Sequence, residues 1–403
     1  MTRTERTYYL VVSMYHASWS FLGPVYALFL LGRGLDLFEI NLVLATYLIT
    51  AFLFEVPTGA IADVFGRKNS FVLSCLVRAV AFQLYWVSDD LPDFLLAEFI
   101  DAIGTTLATG ALDAWAVDGM KAEGKGGSTD GFFARAQMLT RGTMIVTGVA
   151  SGYMVAYGME LPWLMGSATF LLTAVVGWWQ MVDDRPAERS LRTALRETRR
   201  AFSGTVLAGW HEVRRHPVMR LICVLTAAMA FAVMPAYHTW QPHLQSLSTQ
   251  GMWVLGWTWA LLNLAVVFAS LLVHRLPHLP RAYVVAVATL VRGIMLAVAA
   301  VSPTLAPAII GFVIFEFGMG VSEPLLLGWM NDHAGSEQRA TVLSVRQMSF
   351  TLGGGIGLLV LGVVARDHGI PAAWLVCAAL LVVAAAGFVA LDRSTRTGRG
   401  AAE

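Results

Sequence analysis

Gly59-Ala-Ile-Ala-Asp63-Val-Phe-Gly66-Arg67-Lys68 lies between two long apolar runs and packs an acid, two glycines and two cations into one turn. Such a cluster reads as a tight hairpin at the inner face of a membrane. Gly59 lets a neighbouring helix approach, Asp63 closes the preceding helix, and Gly66 supplies the permissive backbone that a sharp reversal needs. Arg67 and Lys68 hold the turn on the side where cations accumulate. The competing reading is an ordinary basic loop with incidental glycines, and the rest of the chain decides between the two.

The chain has 403 residues, of which 57% are hydrophobic and 14% charged, with a mean hydropathy of +0.63. Soluble domains carry about 25% charged residues, so this composition predicts an all-α membrane protein that crosses the bilayer many times. A net charge of +1 suggests neither an acidic partner nor nucleic acid. Cys75, Cys223 and Cys377 sit in separate apolar runs, a spacing that suggests no disulfide framework and no metal site. The short basic lead Met1 to Arg6 precedes an apolar run with no small-residue cleavage site, which is expected to stay as a first span.

Apolar stretches of about 20 residues each fall at 7–32, 40–62, 70–88, 92–118, 131–157, 161–181, 217–245, 251–274, 282–301, 304–330, 340–365 and 370–391. These predict twelve transmembrane helices in two six-helix halves, residues 1–182 and 217–403. Residues 183–216 between them carry many arginines, with Leu191, Leu195, Phe202, Val206, Trp210 and Val213 at helical spacing. They are expected to form an amphipathic linker on the inner membrane face. On this span list only Arg33 and Arg366 fall in external loops, and Arg78, Arg141, Arg292 and Arg346 fall inside spans. All other lysines and arginines are internal, which places both termini in the cytoplasm. A weak internal repeat supports the division. Pro24-Val-Tyr26 recurs as Pro235-Ala-Tyr237, 211 residues on, and Trp115-Ala-Val-Asp118 recurs as Trp329-Met-Asn-Asp332, 214 on. Parallel halves of this kind are used by secondary transporters.

The hairpin resembles the loop between helices 2 and 3 of the major facilitator superfamily (MFS), Gly-x-x-x-Asp-x-x-Gly-Arg-Lys, at every fixed position: Gly59, Asp63, Gly66, Arg67 and Lys68. Phe54-Glu-Val-Pro-Thr-Gly59, Gly110-Ala-Leu-Asp-Ala-Trp115 and Arg339-Ala-Thr-Val-Leu-Ser344 extend the likeness to a bacterial MFS branch that contains many drug-efflux proteins. Two departures stand out. Where proton-coupled exporters often carry an arginine in span 4 this chain has Glu98, and the Gly-Pro pair of the antiporter signature is missing from span 5, leaving Gly148-x-x-x-Gly152. The resemblance implies the MFS fold in a bacterial inner membrane, and a central cavity lined by spans 4 and 10.

An ionisable group at mid-bilayer costs about 2.5–3.5 kcal/mol on insertion scales and is a functional candidate for that reason. Six acids qualify as proton-coupling candidates: Glu316, Asp113, Asp101, Glu55, Glu98 and Glu323. Depth along the helices predicts pairs Glu55–Arg78 and Glu323–Arg346. Glu316, with no level arginine except Arg292, is preferred as the proton carrier together with Asp101 or Asp113. The bland alternative is that each acid satisfies a neighbouring hydroxyl or backbone group. Trp19, Tyr26, Tyr237, His238 and Trp240 on spans 1 and 7 form a candidate aromatic lining for a hydrophobic or cationic ligand, or in part an interfacial belt. At the hairpin, Asp63 is expected to dock on the start of span 11 and Arg67 to reach Asp118, forming a latch.

These features point to a monomeric proton-coupled secondary transporter that exports a small amphipathic or cationic compound, with lipid as its surroundings and no cofactor. Import of a nutrient, or a non-transporting receptor on the same scaffold, remain the alternatives. No nucleotide loop, nucleophile elbow or metalloprotease motif points to an enzyme.

Overall fold

The computed structural model describes residues 1–124, 129–182, 193, 195–197, 204, 210, 211, 213–215, 217–273, 275, 279–333 and 339–400. All regular structure among them is helical. The expected amphipathic linker, 183–216, lies largely outside the described residues.

The first eight helices are α1 (Arg3–Ser20), α2 (Tyr26–Gly32), α3 (Leu37–Phe65), α4 (Arg67–Val87), α5 (Leu91–Ala108), α6 (Ala111–Ala122), α7 (Asp130–Met154) and α8 (Leu161–Gln180). Then follow α9 (Pro217–Ser246), α10 (Trp253–Val273), α11 (Arg281–Val301), α12 (Leu305–His333), α13 (Arg339–His368) and α14 (Ile370–Gly400). Local chemistry sets several boundaries. Thr2 and Glu5 form a reciprocal capping box at the start of α1. Pro24, which has no N–H to give, falls in the break between α1 and α2. Gly110, at φ +74°, separates α5 from α6, a conformation that costs a residue with a side chain roughly 1–2 kcal/mol. Gly66, at φ +90°, caps α4 and turns the hairpin, as its sequence setting predicts. At Gly59 a Cβ would meet nothing within 4 Å among the described residues, so the expected close approach of a helix is not seen among them. Asp63 does not end its helix either, because α3 runs on to Phe65.

Ten helices among the described residues are long and apolar enough to cross a membrane. The long helices outside that set, α1 and α7, carry polar runs such as Ser13–Ser20 and Arg135–Arg141.

The chain packs into two compact units. One comprises Met1–Leu35, Thr46–Phe202 and Gln250–Ala260; the other comprises Asp36–Ala45, Ser203–Thr249 and Leu261–Glu403. The same pairings recur inside each. In the first, α4 packs on α5 and α8, and α1 packs on α7 and α8. In the second, α11 packs on α12 and α14, and α9 packs on α13 and α14. The repeat glimpsed in the sequence is therefore a repeat of packing.

Candidate functional site

In the first unit the charged groups gather where α4 meets α5. Arg78, 6% exposed, grips Asp101 with both arms: Nε donates to Oδ1 at 2.8 Å and Nη2 to Oδ2 at 3.0 Å. Its Nη1 donates to the Tyr15 hydroxyl at 3.0 Å, and the guanidinium lies 4.7 Å from the Phe170 ring centroid. Gly104 makes this possible, since a Cβ there would sit 2.5 Å from Arg78 Cγ. The expected Glu55–Arg78 pair is thus replaced by Asp101–Arg78. Glu55 is exposed on α3, while Arg78 points toward α5; depth along a helix fixes height but not facing. Asp101, one of the preferred proton carriers, has its charge committed to an arginine.

Glu98, one turn before Asp101 on α5, is 6% exposed. It accepts hydrogen bonds from Tyr85 and, at 3.4 Å, from Tyr26, and the two phenol oxygens lie 3.0 Å apart. Tyr85 stacks on Trp163 at 4.1 Å between centroids. Asp113, on α6, is exposed and accepts from the Tyr8 hydroxyl at 2.6 Å. At the hairpin Arg67 is hydrogen-bonded to Asp118, with Lys121 also near, 3.9 Å from Asp118. Lys68 lies over the Trp178 ring at 5.0 Å. Asp63 is exposed; its expected docking on the start of span 11 involves side chains 331–341, which are outside the described residues. Trp19 is half-buried beside His16, with centroids 6.1 Å apart.

The second unit repeats the frame with different side chains. Arg292 on α11 is 2% exposed, and Gly318 on α12 clears its path, since a Cβ there would lie 2.5 Å from Arg292 Cγ. Arg78 and Gly104 are thus matched by Arg292 and Gly318, each 214 residues on. At the same offset Asp101 becomes Phe315 and Glu98 becomes Phe312. Arg292 accordingly stacks on the Phe315 ring at 4.9 Å and donates at 3.5 Å to Tyr237, whose hydroxyl is also hydrogen-bonded with Glu316. Further along α12, Glu323 accepts from Arg346 at 2.6 Å, as their depth predicts. His238 is half-buried. Trp240 is 1% exposed and stacks on Phe312, so its ring faces core packing instead of lining an open surface as expected. The frame repeat was missed in the sequence, although an Arg on span 3 or 9 and a Gly on span 4 or 10 at a common offset were there to be read. No cluster of three or more metal-ligating side chains occurs among the described residues.

The helical run that carries Glu98 and Asp101 is broken, and the continuous helix that carries Glu316 and Glu323 holds a proline at the matching place. Gly110 breaks α5 from α6, and 214 residues on Pro324 lies inside α12. Over residues 8–358 the sequence matches the family profile described as Major Facilitator Superfamily. The chain belongs to the major facilitator superfamily. An MFS-type transporter of Bacillus subtilis (strain 168), itself uncharacterised and named YxaM, is 27% identical over 149 residues, a match spanning 37% of this chain and 36% of that protein. Among solved structures the nucleoside transporter NupG superposes with a TM-score of 0.77 at 13% identity, covering 97% of this chain and 99% of its own. The POT family transporter PepTSo gives 0.76 at 12% identity over 98% and 99%. An inward-facing bacterial homologue of the human lysosomal transporter Spinster gives 0.75 at 14% over 97% and 96%. At such identities the likeness shows the fold alone. This MFS chain is a membrane protein of a transporter family.

Proposed function

We propose that the protein is a proton-coupled secondary transporter that exports a small amphipathic compound by alternating access across a bacterial inner membrane. The observation that carries this reading is the matched pair of helix-disrupting residues, Gly110 at the break between α5 and α6 and Pro324 inside α12, each on a run beside a buried arginine and a buried or half-buried acid. In repeat-built transporters, apolar segments that carry Gly or Pro at corresponding positions of the two halves point to where substrate and coupling ions are handled. Charges kept inside apolar helices have no structural need that an apolar core would not meet better. Residues 1–182 and 217–403 then act as the two halves, and 183–216 as their tether. Under this reading the Arg67–Asp118 pair is one part of a cytoplasmic latch to which Asp63 contributes the other. The substrate's charge is less tilted toward cations than composition implies, because Asp101 and Glu323 already face arginines.

Twelve spans fit this reading better than ten. Arg33 Nη1 donates to Asp89 at 2.5 Å, and Arg33 Nη2 lies 3.5 Å from Glu160, so these three residues share one end of the first unit. Glu123 accepts from Thr4 Oγ1 at 3.0 Å at the other end, where hydrogen bonds from Thr2 and Thr4 hold its carboxyl below the usual carboxylate range. On this reading the chain crosses between Thr4 and Arg33, and again between Glu123 and Glu160. Those crossings are α1–α2 and α7.

The test is survival of cells lacking their own efflux pumps when challenged with a panel of toxic amphipathic compounds. Expression of the protein is expected to raise tolerance to at least one of them. Asp63→Asn is expected to remove most of that protection while the protein still inserts. Full protection by the Asp63→Asn variant sinks the latch. No protection against any compound, together with no pH change when the panel is offered to sealed proteoliposomes, sinks the transporter reading.

A further inference from the structure

We infer that Glu98, held by Tyr26 and Tyr85, is the group that takes up and releases the coupling proton. This rests on the proton-coupled reading above and names its residue.

The argument is one of partners. Glu98 lies about 10 Å along α5 from its start at Leu91, at 1.5 Å per residue, and is almost wholly enclosed at 6% exposure. Its hydrogen-bond partners are the phenols of Tyr85 on α4 and Tyr26, the first residue of α2. The nearest buried cation, Arg78, is already engaged by both oxygens of Asp101 and by Tyr15. Asp101 and Glu98 stand three residues apart on one helix face, so the second carboxylate adds repulsion to burial. Tyr47 on α3 faces the Arg78–Asp101 pair, and Glu55 on the same helix is exposed. No cation touches Glu98 among the described residues.

Two phenols serve both protonation states. As a carboxylate, Glu98 accepts from two O–H donors. Both phenols meet the same oxygen, Oε2; protonated there, Glu98 donates its O–H to one phenol and keeps a lone pair for the other, and the first phenol's hydroxyl turns to its neighbour 3.0 Å away. The step is Glu–COOH to Glu–COO⁻ plus one proton passed to water, with no heavy atom moved. Stacking of Tyr85 on Trp163, which is 0% exposed, fixes the phenol that matters most. Asp101 is unsuited to the task, because protonating it strands a buried guanidinium. In the second unit phenylalanines stand where Glu98 and Asp101 would recur, so the carboxyl held by two phenols is not repeated at that offset.

The full-length protein reconstituted in lipid can be titrated by infrared difference spectroscopy, reading the carboxylic-acid C=O stretch that a carboxylate lacks. A pH-dependent carboxylic-acid band is expected in the wild type. It is expected to be lost in Glu98→Gln, to shift in Tyr85→Phe, which removes one hydrogen bond from the acid, and to persist in Glu316→Gln. Tyr85→Phe keeps the test decisive if Glu98→Gln fails to fold. A band unchanged in both variants, or absent from the wild type, overturns the assignment. The two readings fail separately. Wild type and Glu98→Gln that move protons equally well in proteoliposomes dismiss Glu98 and keep coupled transport. A Glu98 band with no proton movement against any panel compound dismisses coupled transport and keeps the proton site.

Discussion

Asp101 is the residue on which the first unit's electrostatics turn. Removing one member of a buried ion pair leaves the other charge uncompensated, at a cost of about 3–5 kcal/mol. Asp101→Asn is therefore expected to lower the thermal midpoint of the purified protein steeply, and Glu55→Gln to leave it near that of the wild type. Comparable losses in the two variants would restore the pairing of Arg78 with Glu55 that depth alone suggests. The contrast shows what could be read from the chain at this scale. Arg67–Asp118 and Glu323–Arg346 were legible, because both lie close to a loop that the apolar runs delimit. Arg78–Asp101 was not, since helix rotation is invisible in a run that is apolar on nearly every side. Tyr85 as a partner of Glu98 was equally hidden: its hydroxyl gives no signal among the neighbouring aromatic residues, and only packing of α4 against α5 brings it there.

Within the helices the contacts are made by small residues, as expected where lipid supplies no hydrophobic drive to association and close backbone approach must do the work. The clearest case joins α9 and α13. A Cβ on Gly353 would sit 2.2 Å from the Ala227 carbonyl oxygen, and one on Gly357 2.2 Å from that of Phe231. Both obstacles are backbone and cannot swing away. Gly353→Ala is expected to force the helices apart at a cost of about 1–3 kcal/mol, the range for overpacking. Gly355→Ala, where nothing lies within 4 Å, is expected to be neutral or slightly stabilising through the better helix propensity of alanine. Thermal melts of the two variants decide it, and equal midpoints would mean that the α9–α13 seam has room to yield. Ten of the spans were legible as apolar runs. The break at Gly110 was not, because a lone glycine inside an apolar run is more often tolerated than structural.

For the molecule as a whole, the count of crossings decides which groups face which side, and α7 is the helix on which that count depends. Its polar residues Asp130, Arg135, Gln137 and Arg141 lower its hydropathy, yet the ends that flank it are anchored to opposite ends of the first unit by Glu123–Thr4 and Arg33–Glu160. Single cysteines report this directly, because Cys75, Cys223 and Cys377 are all buried and leave a quiet background. Asp89 and Glu160 lose exposed or partly exposed ion pairs with Arg33, which contribute about 0–1 kcal/mol each, and Glu123, itself exposed, loses hydrogen bonds from Thr4, so the fold is expected to tolerate the changes. Asp89→Cys and Glu160→Cys are expected to react with a membrane-impermeant maleimide in intact cells, and Glu123→Cys only in inverted vesicles. Labelling of Glu123→Cys and Glu160→Cys from the same side would take α7 out of the membrane. The first unit would then lose a crossing, its termini would fall on opposite faces, and Glu98 and the hairpin would no longer belong to a bundle able to alternate.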